Sequence, residues 1–213
     1  MSENPPLRDE AIEQLREMIA LKPMVPQSRA RLIQMLVTED RLEEAEREIE
    51  KAIDTMPRVA AWYDLRATVL QKTGRAELAL KDLQRVLELT RNTAAMARLV
   101  EGYLAVDQPG EALALLEKTG EQLSDEPLLL AYKARALGDM GKTAESGEAF
   151  ETAFRSAMEN PANLRVLLDK APGLLEPMEL VALLDPLEKE DLSGMMATLS
   201  GQVLLREGKI AEG

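Results

Sequence analysis

Residues 42–57 read LEEAEREIEKAIDTMP. Leu42, Ala45, Ile49, Ala52 and Ile53 fall at steps of three and four, so one face of a helix is apolar. Pro57 ends it, because proline lacks an N–H and disfavours helical backbone at the residue before it. Upstream, Asp40-Arg41 reads as a turn, and Ala30, Leu32, Ile33, Leu36 and Val37 mark an earlier amphipathic helix. Residues 26–59 are therefore expected to form a helical hairpin. The charged side chains of Glu43 through Lys51 read as the outer face of the second helix, with Glu43 and Arg47 at i,i+4 spacing.

The pair Glu44-Ala45 repeats along the chain. Glu10-Ala11 precedes it by 34 residues; Leu78-Ala79, Glu111-Ala112, Glu145-Ser146, Glu179-Leu180 and Glu212-Gly213 follow at intervals of 33 or 34. A period of this length marks a solenoid of stacked helical units. Further hairpins are expected over 60–92, 93–126 and 127–160. They carry Tyr63, Ala67, Leu70, Leu83 and Val86; then Val100, Tyr103, Leu113 and Leu116; then Ala134, Leu137, Phe150, Ala153 and Phe154. Ala45, Ala79 and Ala112, small residues of these pairs, let two antiparallel helices approach closely. Gly74 stands 34 residues after Asp40, where a short turn calls for positive φ, which Gly and Asp tolerate. Asp107-Gln108-Pro109-Gly110 forms the next turn and puts Pro near a helix start.

Tyr63, Ala67, Leu70, Gly74, Ala79 and Leu83, like Leu36, Leu42, Ala45, Ile49, Ala52 and Pro57, resemble the tetratricopeptide repeat. That resemblance spans essentially the whole chain. It implies an all-α fold, a right-handed α-α superhelix of helical hairpins, with first helices lining a concave groove. Gln27, Gln34 and Thr38 would face that groove from one repeat, and Asp64, Thr68, Gln71 and Lys72 from the next. Ala97, Glu101 and Leu104 would follow, then Leu128, Ala131, Arg135 and Asp139, and beyond them Thr198, Gln202 and Arg206. Such a mixed lining suits the backbone and side chains of a bound peptide. Some family members clamp a chaperone's terminal carboxylate with Lys and Asn. The corresponding places here hold Ala30, Gln34, Leu65, Ala94 and Arg98, and one guanidinium is too few donors for that task.

Composition narrows the function. The 213 residues include no His and no Cys, which removes the commonest general base and metal ligand, and any disulfide or thiolate site. Asp64, Glu101 and Asp139 lack such support, so no enzyme activity, metal or cofactor is expected. The formal net charge of −12 opposes binding to nucleic acid or to an anionic membrane. No signal peptide or membrane span is visible, and a cytoplasmic location is expected. Trp62-Tyr63 reads as core and inter-repeat packing rather than a ligand anchor.

The ends depart from the period. Residues 8–23 read as a lone second helix, 161–193 as a proline-interrupted, degenerate hairpin, and 194–213 as an incomplete repeat. The expected role is an interaction scaffold for a protein or peptide. The alternative is the N-terminal regulatory or substrate-docking region of a larger transferase or oxygenase. Self-association through the incomplete terminal repeats is a further expectation.

Overall fold

Asp40, Gly74, Asp107 and Gly141 all adopt left-handed backbone, with φ of 57°, 74°, 57° and 77°. They recur at the repeat interval, and each follows a helix. Three of these turns close in the same way. Arg41 N–H donates to Leu36 O at 2.8 Å, Arg75 N–H to Leu70 O at 2.8 Å, and Lys142 N–H to Leu137 O at 2.9 Å. A second, inner bond runs from Asp40 N–H to Val37 O, from Gly74 N–H to Gln71 O, and from Gly141 N–H to Gly138 O. This paired closure satisfies carbonyls that a helix end leaves without partners.

A computed structural model describes residues 5–118 and 126–158, with positions 160, 163, 164, 166 and 167. Among the described residues the elements are all helical. They are α1 (Pro5–Leu21), α2 (Pro26–Thr38), α3 (Leu42–Thr55), α4 (Ala60–Lys72), α5 (Ala76–Thr90), α6 (Thr93–Ala105), α7 (Pro109–Glu117), α8 (Pro127–Asp139) and α9 (Thr143–Met158). Two compact units divide them: Met1–Val106 holds α1 to α6, and Asp107–Gly213 holds the rest. The expectations for 168–193 and 194–213, Gln202 included, lie outside the described residues.

In the first unit the helices pack in chain order, and α2 also touches α4. Ile12, Ile19, Leu32, Ile33, Leu36, Ile49, Trp62 and Val69 form one buried cluster across α1 to α4. Full burial of each large aliphatic chain contributes roughly 1.5–3 kcal/mol, so this cluster holds α1 to α4 together. Ala45 and Ala79 are completely buried, as the close approach of paired helices requires. A Cβ on Gly102 would lie 2.8 Å from Leu83 Cδ1 and 3.1 Å from Leu80 Cδ2, so α6 sits tightly on α5.

In the second unit α8 and α9 form a hairpin around Leu137, Phe150, Ala153 and Phe154, and α7 packs on α8. Ser146 takes the position that alanine holds in other repeats. Its hydroxyl donates to Ala134 O at 2.7 Å, tying the two helices together. A Cβ on Gly138 would lie 3.3 Å from that hydroxyl oxygen, so the glycine admits the contact.

The acidic run on α3 corrects the expectation of a solvated outer face. Glu43, Arg47 and Glu50 are exposed, but Glu44, Glu46 and Glu48 are half-buried and bind cations of other segments. Glu44 accepts from Arg41 Nε at 2.7 Å and from Arg16 Nη2 of α1 at 2.6 Å. Glu46 accepts from both terminal nitrogens of Arg75 at 3.0 and 2.8 Å. Glu48 accepts from Lys51 at 2.8 Å and from Arg29 of α2 at 3.4 Å. Alternate carboxylates thus link α3 to its neighbours, because an amphipathic helix wedged between others has flanks as well as an outer face.

Candidate functional site

α4 and α6 are the first helices of successive hairpins, and their polar faces meet through three side chains. Arg98 of α6 donates from Nη2 to Asp64 Oδ1 at 3.0 Å and from Nε to the same oxygen at 3.2 Å. Its Nη2 also donates to Thr68 Oγ1 at 3.2 Å. Asp64 and Thr68 lie one turn apart on α4, so one guanidinium spans both, and Thr68 donates to Asp64 O at 3.0 Å. The pair is part-exposed, with side-chain exposures of 38% for Arg98 and 44% for Asp64. Water therefore screens it, and the group remains open to exchange one of its bonds for a ligand's.

The other candidate residues do not join this array. On α2, Gln27, Gln34 and Thr38 are exposed, and Thr38 Oγ1 donates to Gln34 O at 2.9 Å. Gln71 is half-buried and Lys72 exposed at the end of α4, while Glu101 is half-buried on α6. Arg135 and Asp139 belong to the second unit, on α8, where Arg135 Nε donates to both carboxylate oxygens of Asp139 at 2.8 Å. Of the expected apolar gaps, Ala97 and Ala131 are buried and offer no surface. Gln202, Thr198 and Arg206 lie outside the described residues.

Trp62 is completely buried, which makes it core. Tyr63 is half-buried, and its hydroxyl donates to Pro57 O at 2.9 Å. Arg66 and Arg85 stand over its ring at 5.8 and 6.0 Å. Arg66 in turn forms a fork with Asp82 at 2.7 and 2.6 Å, and Asp82 is only 4% exposed. That hydrogen-bonded fork holds the Arg66 pKa above its ordinary value. Residues 63, 66 and 82 therefore join α4 to α5 rather than awaiting a ligand.

Read along the sequence alone, Arg98 stands out only as a lone cation at the clamp positions. Arg98 follows Asp64 by one 34-residue step, a spacing that becomes a contact only once α6 lies beside α4. Opposite charges at one register on adjacent first helices are brought face to face by stacking. Among the described residues no group of three or more acidic side chains is placed to hold a metal ion. Among them, too, no helix is long and apolar enough to cross a membrane.

Similarity to solved structures agrees with this geometry. A tetratricopeptide repeat protein from Parabacteroides merdae ATCC 43184 matches 95% of this chain and 81% of its own, at 16% identity and a TM-score of 0.64. The chain has the tetratricopeptide-repeat fold. YrrB, a TPR protein with an unusual peptide-binding site, matches 93% of this chain and 100% of its own, at 15% identity and a TM-score of 0.57. MamA matches 71% of this chain and 90% of its own, at 17% identity and a TM-score of 0.61. No protein-family model and no curated protein matches the sequence.

Proposed function

We propose that this chain is an interaction scaffold that receives a peptide or protein segment along its first helices. The observation that carries the proposal is the array of Asp64, Thr68 and Arg98, which places paired donors and acceptors on adjacent first helices. Gln34 and Gln71 add amide groups that both donate and accept, the chemistry needed to bind peptide backbone. Within the first unit, Lys72 and Glu101 would select among side chains and Gln27 and Thr38 would add polar groups; Arg135 and Asp139 on α8, and Gln202, are candidates in their own right. The tetratricopeptide fold supports this role, as does YrrB, a protein of the same fold with a peptide-binding site. We assign the chain no catalytic activity and no nucleic-acid partner, consistent with its lack of His and Cys and its charge of −12.

Selection of displayed random peptides on the purified chain tests the proposal. The selected peptides are then titrated against the wild type, Gln34→Ala/Arg98→Ala, and Arg85→Ala as a control on a second helix. The double variant is expected to bind about tenfold more weakly, equivalent to about 1.4 kcal/mol, with the control unchanged. Equal affinity for all three proteins would remove the first helices from the interaction.

A further inference from the structure

Arg29 is a cation buried in the fold with too few partners. It is 6% exposed, yet its single hydrogen bond is a long one, from Nη1 to Glu48 Oε2 at 3.4 Å. Its Nε is buried without any acceptor. A guanidinium offers five donors, and leaving them unused inside a protein is costly. The equivalent carboxylate one repeat later is differently served. Asp82 follows Glu48 by 34 residues and is gripped by the complete Arg66 fork. Arg66 follows Leu32, not Arg29, by the same step. The first repeat therefore lacks the arginine that completes this pair in the second, and Arg29 reaches toward Glu48 from one turn earlier on its helix.

A cavity of about 440 Å³ opens beside Arg29, between α1, α2 and α3. Ile19 and Leu32 give it an apolar wall, and Arg16, Arg47 and Lys51 supply further positive charge. Its two carboxylates are already engaged: Glu44 by Arg41 and Arg16, and Glu48 by Lys51 and Arg29. Arg47 makes no ion pair among the described residues. The corresponding cavity beside the completed Arg66–Asp82 fork is smaller, at about 260 Å³.

We propose that the α1–α2–α3 cavity is a binding site for a carboxylate carried on a short aliphatic stem. The stem would lie on Ile19 and Leu32. The carboxylate would take hydrogen bonds from the guanidinium of Arg29, with Arg47 and Lys51 balancing its charge at the mouth. Guanidinium matches a planar carboxylate through two parallel N–H donors, which is the bonding Arg29 lacks. An acidic peptide side chain and a free small dicarboxylic acid share this chemistry. The site uses none of the residues of the Asp64–Thr68–Arg98 array, so its test is independent of the function proposed above.

The test follows the methyl NMR signal of Ile19 during titration with glutarate, neutral glutaramide, inorganic phosphate, and a capped Ala-Glu-Ala peptide. Glutarate is expected to shift the signal saturably, with a dissociation constant of about 1 mM or tighter, while glutaramide leaves it in place. Arg47→Ala/Lys51→Ala, both exposed positions, should weaken glutarate at least about fivefold with the thermal melt retained. Arg29→Met should abolish the shift. Binding by the capped peptide as well would assign the site to an acidic side chain; binding by glutarate alone would assign it to a free acid. The proposal is overturned if glutarate leaves Ile19 unmoved, if glutaramide acts equally, or if phosphate binds and glutarate does not. Wild-type affinity in Arg47→Ala/Lys51→Ala would also overturn it, and that variant decides the matter should Arg29→Met fail to fold.

Discussion

Arg98 on α6 donates to Asp64 on α4 at 3.0 Å, and the two residues hold the same register one repeat apart. The contact joins neighbouring first helices on a water-exposed face. Its energy is correspondingly small, since exposed ion pairs contribute at most about 1 kcal/mol. Asp64→Asn should therefore lower the unfolding free energy by less than about 1 kcal/mol in urea titration. A loss above about 3 kcal/mol would mark the pair as part of the core scaffold instead.

Gly74 has φ of 74°, and a Cβ built on it meets no atom within 4 Å. Any penalty for Gly74→Ala thus comes from the backbone and not from a clash. The expected loss is roughly 1–2 kcal/mol, the cost of left-handed backbone for an L-residue. Urea denaturation of the variant measures it, and unchanged stability would show that the turn relaxes to another conformation.

Ala45 is completely buried on α3, which packs against α2 and α4. Ala45→Leu adds three carbons where the helices leave no room. Overpacking is expected to cost roughly 1–3 kcal/mol, lowering the thermal midpoint. Ala45→Ser should be milder, because Ser146 shows that a hydroxyl at this register can donate to a carbonyl across the hairpin. A Leu variant as stable as the wild type would mean that the small residue is not needed for close approach.

Glu44 is held at a pKa of about 2, against an ordinary 4.5, chiefly by hydrogen bonds from Arg41 and then from Arg16. A depressed pKa means the folded state favours the ionised form. That stabilisation is fully present above about pH 4.5 and is lost as pH falls toward 2. Discounted for solvent screening, it amounts to about 1 kcal/mol. The stability gap between wild type and Glu44→Gln should hold steady above pH 4.5 and close below it. Denaturant melts from pH 2 to 7 measure this, and a gap independent of pH would assign the effect to packing.

Much of the fold could be read in sequence because its signals are local. Leu42, Ala45, Ile49 and Ala52 share a helical face whatever the helix packs on, and Pro57 breaks that helix unaided. The turn at Asp40 and Gly74 was equally legible, since positive φ is a demand on one residue and few residue types meet it. The candidate site was only half legible. Asp64 and Thr68 could be placed on the polar face of a first helix, but their partner could not be named without knowing which helix lies beside α4. Arg29 gave no signal at all, because a lone arginine on an amphipathic helix ordinarily reaches water.

The amino-acid order by itself determined the helices, their hairpin turns and the 34-residue repeat. Each follows from bonding between residues close in the chain, where geometry is set by covalent connection. Tertiary structure alone decided the destinations of the long charged side chains: Glu44 to Arg16, Glu46 to Arg75, Arg98 to Asp64, and Arg29 to its incomplete pairing with Glu48. An arginine can swing its guanidinium across several ångströms from one backbone position. Which carboxylate it meets, and whether water is excluded there, depends on the distant helix that packing brings alongside.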